Sequence, residues 1–346
     1  MSTPTLVELG YEYVPGDGGR GHFLLRKLGE PESGFTWDGK ENFAALGRAT
    51  FVWARGQLVE LCGLQELRTV DPPAIAFATP GIGSREAPLL LLICGDVPGG
   101  DAGVWSRNLS INQDTLKGCM FDYIFRAQER GWSVLIADPH GSEASQHEHL
   151  QRLWQQVIQP SSATRLLVVG HSYGGPVAMG LLKAAPSACE RLGALATTDG
   201  MAWGLTGWDT IEQLDESVPP ATAIDGLSAE NLESQGGIEE VRSMYERCRR
   251  YAERTPAAFE PPLPHVAKCV AALGRNYRAS AEPVGTPLRA LPDTALLSVS
   301  AGHEQHGMTN VTPIEHIFDF LALGAEGAAA EDNERLRAAA REKPSL

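Results

Sequence analysis

The chain has 346 residues, 43% of them hydrophobic and 21% charged, proportions ordinary for a folded globular protein. Its formal net charge of −14 disfavours nucleic acid as a partner, because phosphate contacts need a positive surface. The six cysteines contain no C-x-x-C pair, and the longest apolar run, 89–94, is too short to cross a bilayer, so no membrane association is expected.

The opening residues, MSTPTLVELG, lack a basic segment and a continuous apolar core, so no signal peptide is expected and a reducing, cytoplasmic setting is. Residues 1–88 hold two strand-like runs, HFLLRKL (22–28) and AIAFATP (74–80), around a helical pattern near 43–61. These predict antiparallel edge strands and a covering helix. From 89 onward short apolar runs alternate with helical patterns: LLLLIC (89–94), WSVLIAD (132–138), RLLVVG (165–170), LGALATT (192–198) and TALLSVS (294–300). Alternation of this kind marks βαβ units on a parallel sheet, and near-continuous apolar strands mark a sheet covered on both faces.

The helices between them are legible too. Leu116, Met120, Ile124 and Ala127 share one face, with Gly131 as a stop. A more polar helix is predicted over 145–157, and a third over 174–184 with Pro176 in its first turn. The last begins at Thr312-Pro313-Ile314-Glu315, a capping-box pattern, and is expected to stop at Gly324. The Pro-rich stretch 203–290 interrupts the rhythm and reads as a helical lid. Residues 1–324 therefore read as one domain, followed by a polar tail over 325–346 with little core contact.

Chemistry concentrates at Gly170-His171-Ser172-Tyr173-Gly174. A G-x-S-x-G pattern occurs by chance in glycine-rich chains, but here it follows a buried-type strand and opens a helix of small residues. That is the context of a nucleophile elbow and of an α/β-hydrolase fold: a mostly parallel, doubly wound sheet, here with antiparallel N-terminal edge strands and the lid. Ser172 is the candidate nucleophile. A serine hydroxyl needs a histidine to take its proton and a carboxylate to orient that histidine, in the chain order Ser, acid, His.

His303 and His306 both follow a strand; His306, further into the loop, is preferred. Asp199, directly after LGALATT, is the preferred acid, one strand earlier than the commonest arrangement. Glu304 is the fallback, and Asp293 sits at the wrong end of its strand. The oxyanion hole is expected from the backbone of Tyr173 and of the loop Gly95-Asp96, where an inward Asp96 carboxylate would repel the developing charge. Trp105, Arg107 and Asn108 are candidate substrate-binding residues. The histidines at 140, 147 and 149 read as a solvated helix start with no H-E-x-x-H spacing, and the glycine-rich run 99–103 has neither the G-x-G-x-x-G nor the G-K-[ST] pattern of a phosphate loop, so no metal site or cofactor is expected.

The stretch 89–138 resembles the Arb domain family, named for an argonaute-binding protein, with relatives among vertebrate cotranscriptional regulators and in a C-terminal module of some fungal class II histone deacetylases. Ala102-Gly103, Trp105-Ser106-Arg107, Ile111-Asn112, Gly118, Ile124 and Pro139 carry the resemblance. So do Gly170 to Gly175, Thr198-Asp199, the loop from Ser300 to His306, and more weakly Asn276-Tyr277. Cys94-Gly95-Asp96 stands where the family often has His-Gly and a small residue. The resemblance implies an α/β-hydrolase-like fold, a nuclear as well as a cytoplasmic setting, and a protein partner in RNA silencing, splicing or chromatin. The residues themselves point to a serine esterase acting on a small ester-like substrate through an acyl-enzyme. The alternative is a catalytically weak interaction module on the same scaffold.

Overall fold

The computed structural model describes residues 3–71, 73–95, 102–139, 146–200, 264–288 and 296–342. An N-terminal hairpin pairs β1 (Tyr11–Pro15) with β2 (Phe23–Lys27) and is followed by a long helix, Lys40–Glu60. The central sheet is built from β3 (Gln65–Arg68), β4 (Ile75–Ala78), β5 (Leu89–Ile93), β6 (Ser133–Asp138), β7 (Leu166–His171), β8 (Leu192–Thr198), β9 (Gly274–Arg278) and β10 (Leu297–Ser300). Its order is β10-β9-β8-β7-β5-β6-β4-β3, parallel throughout except where β4 meets β6 and β3 meets β4. The run at 74–80 is antiparallel as expected but lies one strand in from the edge, between β6 and the edge strand β3. The run at 22–28 is not part of that sheet: among the described residues its strand pairs with β1 in a two-stranded sheet.

The apolar strands are continuous because successive side chains alternate between two helix-covered faces. Leu90, Leu92, Val134, Ile136, Leu167 and Val169 join one core, with Phe121 and Ile124 of helix Phe121–Glu129 and Phe318 of helix Ile314–Glu326. Leu89, Leu91, Ile93, Leu135, Leu166 and Val168 join the other, with Leu150 of helix Gln146–Leu153, Val177 of helix Gly174–Ala184, and Val266 of helix Pro264–Leu273. The side chains on each face are buried and packed, so the sheet between them is a rigid base for whatever its strand ends carry.

Three expectations need correction. Of the predicted lid, residues 203–263 and 289–290 lie outside the described residues, but Pro264–Leu273 is a core helix and Gly274–Arg278 is a sheet strand between β8 and β10. The last sheet-packed helix starts at Ile314 with no side-chain cap bond, so the Thr312–Glu315 box does not form, and it ends beyond Gly324, at Gly327 with φ 85°. The tail is not loose either. It forms helix Ala329–Glu342, docked by Arg275 of β9, whose buried guanidinium bonds Asn333 Oδ1 (3.1 and 2.8 Å) and Asp332 Oδ2 (2.6 Å) and covers the Phe320 ring.

Candidate active site

β7 ends at His171 and the next helix starts at Gly174, leaving Ser172 and Tyr173 to turn the chain. The turn forces Ser172 to φ 51°, a left-handed conformation unfavourable for a residue with a Cβ. Crowding explains the flanking glycines: a Cβ on Gly170 would lie 2.7 Å from the Gly174 carbonyl oxygen, and one on Gly174 2.4 Å from that of Ile93. The Ser172 N–H donates to the Thr198 carbonyl at the end of β8 (3.0 Å), and Gly175 N–H donates to Ser172 O (3.1 Å). The elbow is thus bonded to the neighbouring strand end, where the candidate acid sits.

Asp199 follows β8 with φ 44°, and its own N–H donates to the Tyr277 carbonyl of β9 (2.7 Å). Its carboxylate is shared out: Oδ1 accepts the Ala279 N–H at 3.3 Å, and Oδ2 lies 2.6 Å from His306 Nδ1. Burial pushes this carboxyl up, but the bond and charge of His306, the Ala279 N–H and His171 together hold it below the usual carboxylate range. An ionised Asp199 can only accept, so Nδ1 of His306 carries the proton and Nε2 is left to act as a base. His306 opens a tight turn, His306–Asn310, pinned by Thr309 Oγ1 to the His306 carbonyl (2.7 Å) and by Tyr123 OH to the Asn310 carbonyl (2.8 Å). Its side chain is 39% exposed. No hydrogen bond joins Ser172 Oγ to His306 among the described residues.

Groups that sequence reasoning passed over hold this arrangement. Asn276, buried on β9, accepts from Thr197 Oγ1 (2.9 Å) and Gly200 N–H (3.2 Å) and donates to the Gly200 carbonyl (3.3 Å), clamping the chain around Asp199. The buried His171 ring contacts Thr198 through Nδ1 and faces His306, with centroids 4.7 Å apart. Asn276 had a trace in the family resemblance; His171 was hidden inside the elbow motif as a position any residue could fill.

The remaining predicted residues are placed as follows. Gly95 lies against the elbow, an added Cβ there standing 3.1 Å from Ser172 Cβ, whereas Asp96 is outside the described residues. Tyr173 caps the helix after the serine, with its hydroxyl 3.1 Å from His147 Nε2. Trp105 is 2% exposed and packs edge-on to His171 and Tyr123, so it supports the site from behind rather than facing an open pocket. Arg107 is half-buried with its guanidinium over the Phe43 ring, and Asn108 is exposed and bonded to Asn112. Glu304 points to solvent, His303 Nδ1 accepts the Gln305 N–H (2.9 Å), and Asp293 is outside the described residues. His147 and His149 are buried rather than solvated, correcting the reading of that helix start; burial first, and Lys183 second, bring His147 down to about 4. His140 is outside the described residues. Among the described residues no group of three His, Cys, Asp or Glu is placed to hold a metal, and no helix is long and apolar enough to cross a membrane.

Sheet order, elbow and strand-end acid together define an α/β-hydrolase-type fold. No family model matches the chain. It is similar to a FAM172 family protein homolog of Caenorhabditis elegans, 27% identical over 194 residues (52% of this chain, 60% of that protein). It is also similar to the cotranscriptional regulator ARB2A homolog of Gallus gallus, 28% identical over 152 residues (40% and 35%). The chain thus spans 60% or less of the curated relatives it matches. A solved histone deacetylase of Saccharomyces cerevisiae superposes with a TM-score of 0.47 at 10% identity, covering 83% of this chain and 99% of that one. The histone deacetylase Clr3 gives 0.46 at 9% identity, covering 84% and 46%. The chain resembles the Arb family, as its own motifs indicate and as the names of its curated relatives agree.

Proposed function

We propose that the protein is a serine hydrolase that cleaves ester-like acyl bonds through an acyl-enzyme on Ser172. The observation that carries this reading is the 2.6 Å bond between Asp199 Oδ2 and His306 Nδ1, formed at the strand end hydrogen-bonded to the elbow. In the first half-reaction Ser172 Oγ attacks the substrate carbonyl while His306 Nε2 takes the hydroxyl proton. The imidazolium so formed is stabilised by Asp199 and returns the proton to the leaving oxygen. Water, activated by the same nitrogen, then releases the acid. Backbone N–H groups of Tyr173 and of the Gly95-Asp96 loop would receive the negative charge that builds on the carbonyl oxygen. The Oγ–Nε2 contact that the transfer needs is one that commonly tightens only when substrate binds.

Activated esters such as p-nitrophenyl acetate and butyrate test the reading. Wild-type protein turns them over, and Ser172→Ala lowers kcat/KM by several orders of magnitude. Equal rates in the two proteins would exclude the mechanism.

A second reading has its own support. One relative is named a cotranscriptional regulator, and Ser172 is not bonded to His306 in the structure. On that reading the scaffold binds a protein partner, in a nuclear or cytoplasmic setting, and the elbow is inert.

A further inference from the structure

A single hydrogen bond does not orient an imidazole. The bond from His306 Nδ1 to Asp199 fixes one direction, but the ring can still rotate about that line and swing Nε2 away from the serine. The structure supplies a second restraint. The His171 ring lies against the face of His306, centroids 4.7 Å apart and planes inclined by 31°. His171 is itself immobile: it is 4% exposed, its Nδ1 is 3.1 Å from the Thr198 carbonyl and 3.0 Å from Thr198 Oγ1, and the Trp105 ring backs it edge-on at 6.1 Å. A carbonyl oxygen can only accept, so Nδ1 of His171 carries its proton. Thr198 Oγ1 in turn bonds Asn310 Oδ1, at the far end of the turn that His306 opens. The tilted ring and the turn that bears His306 are thereby tied to the same threonine.

Resting on the hydrolase reading, we propose that His171 is a positioning residue: Asp199 sets where the His306 ring points, and His171 sets the plane in which it lies. The assignment predicts a chemical form as well as a place. A cation stacked on His306 would oppose the imidazolium that forms during proton transfer, so the positioning ring has to stay neutral while the base becomes charged. Burial, and then the neighbouring His306, bring His171 down to about 3 against the opposing pull of Asp199 and the Thr198 bond. The charged and titratable groups facing it are His306 and Asp199.

The test compares His171→Ala, which removes the ring, with His171→Phe, which keeps a flat neutral ring and loses only the Thr198 bond. The expected result for His171→Ala is a fall in kcat of roughly 10- to 100-fold with KM within about twofold, as follows when only transition-state geometry is lost. His171→Phe should recover kcat to within roughly threefold of wild type, whereas a loss due to misfolding would appear in both variants. A second readout needs no turnover. The His306 Nδ1–H proton, observed by NMR in histidine-labelled protein, should exchange with water at least about tenfold faster in His171→Ala than in wild type or His171→Phe. Unchanged exchange in a folded His171→Ala protein overturns the positioning role. Absent ester turnover by wild type, with exchange still altered, would overturn the hydrolase reading instead and leave the ring restraint standing.

Discussion

The Ser172 N–H donates to the carbonyl of Thr198, 3.0 Å away, and so ties the elbow to the residue that precedes Asp199. Ser172 and Asp199 are also the two non-glycine residues with positive φ among those described, at 51° and 44°. Strained backbone of this kind costs stability and persists where the surrounding structure over-determines it, here with the elbow bonded to the residue before the second strained position. The strain is measurable. Ser172→Gly, which removes the Cβ that disfavours this conformation, should be more stable than Ser172→Ala by on the order of 1 kcal/mol. Denaturant titration of the two inactive variants checks it, and equal midpoints would mean that the elbow is relaxed.

Neutralising the carboxylate should cost catalysis without unfolding the protein. Asp199→Asn retains a hydrogen-bonding group for Ala279 N–H but no longer selects the Nδ1–H form of His306. Turnover of an activated ester should fall by roughly 10⁴-fold, the size seen when the orienting carboxylate of a serine triad is neutralised. Steady-state kinetics on the folded variant measures it, and a loss below about tenfold would mean that Asp199 is not the orienting acid.

His171 also makes a prediction about acid stability. Held down to about 3 in the folded protein, first by burial and then by His306, it has an unfolded counterpart that takes a proton near pH ~6.5. Between those values the unfolded chain binds a proton that the folded one does not, so stability rises with pH across the window and is lost as pH falls through it. His171→Phe removes the titration and keeps the packing. The fall in melting temperature from pH 7 to pH 4 should therefore be smaller in the variant. His147, brought down to about 4 by burial and Lys183, contributes to the slope in both proteins and cancels in the comparison. Equal falls would contradict the buried neutral form.

The C-terminal helix should behave as part of the domain. Asn333→Ala removes two hydrogen bonds from the Arg275 guanidinium, which is 1% exposed, and should destabilise the protein by about 2–3 kcal/mol. Arg335→Ala breaks an ion pair to the same Asp332, but that side chain is 75% exposed, so its effect should stay below about 0.5 kcal/mol. Urea unfolding of both variants decides it; equal effects would mean that the helix is not docked through Arg275.

The residues made the parallel strands easy to find, because a strand buried on both faces must be almost wholly apolar, as Leu89–Ile93 and Leu166–His171 nearly are. β9 was hidden for the opposite reason. Gly274-Arg275-Asn276-Tyr277-Arg278 is polar, yet its first four residues are buried, with Arg275 satisfied by Asn333 and Asp332, and Asn276 by Thr197 and Gly200. Hydropathy does not detect burial of that kind, so a sheet strand read as lid. The Ala-, Glu- and Arg-rich tail misled in the same way, since its docking runs largely through polar side chains, Asn333 and Asp332 to Arg275 and Arg337 to the Ala271 carbonyl. The elbow was legible because its glycines answer to backbone crowding alone. His171 was not, because the plane of a ring across the sheet edge leaves no local pattern.

Treatment with a fluorophosphonate, with the adduct mapped by peptide mass spectrometry, asks whether Ser172 is an activated nucleophile. One stoichiometric adduct on Ser172 is expected, formed far more slowly in His306→Ala and Asp199→Asn. An unlabelled Ser172 in folded wild-type protein, or labelling equally fast without His306, would contradict that activation.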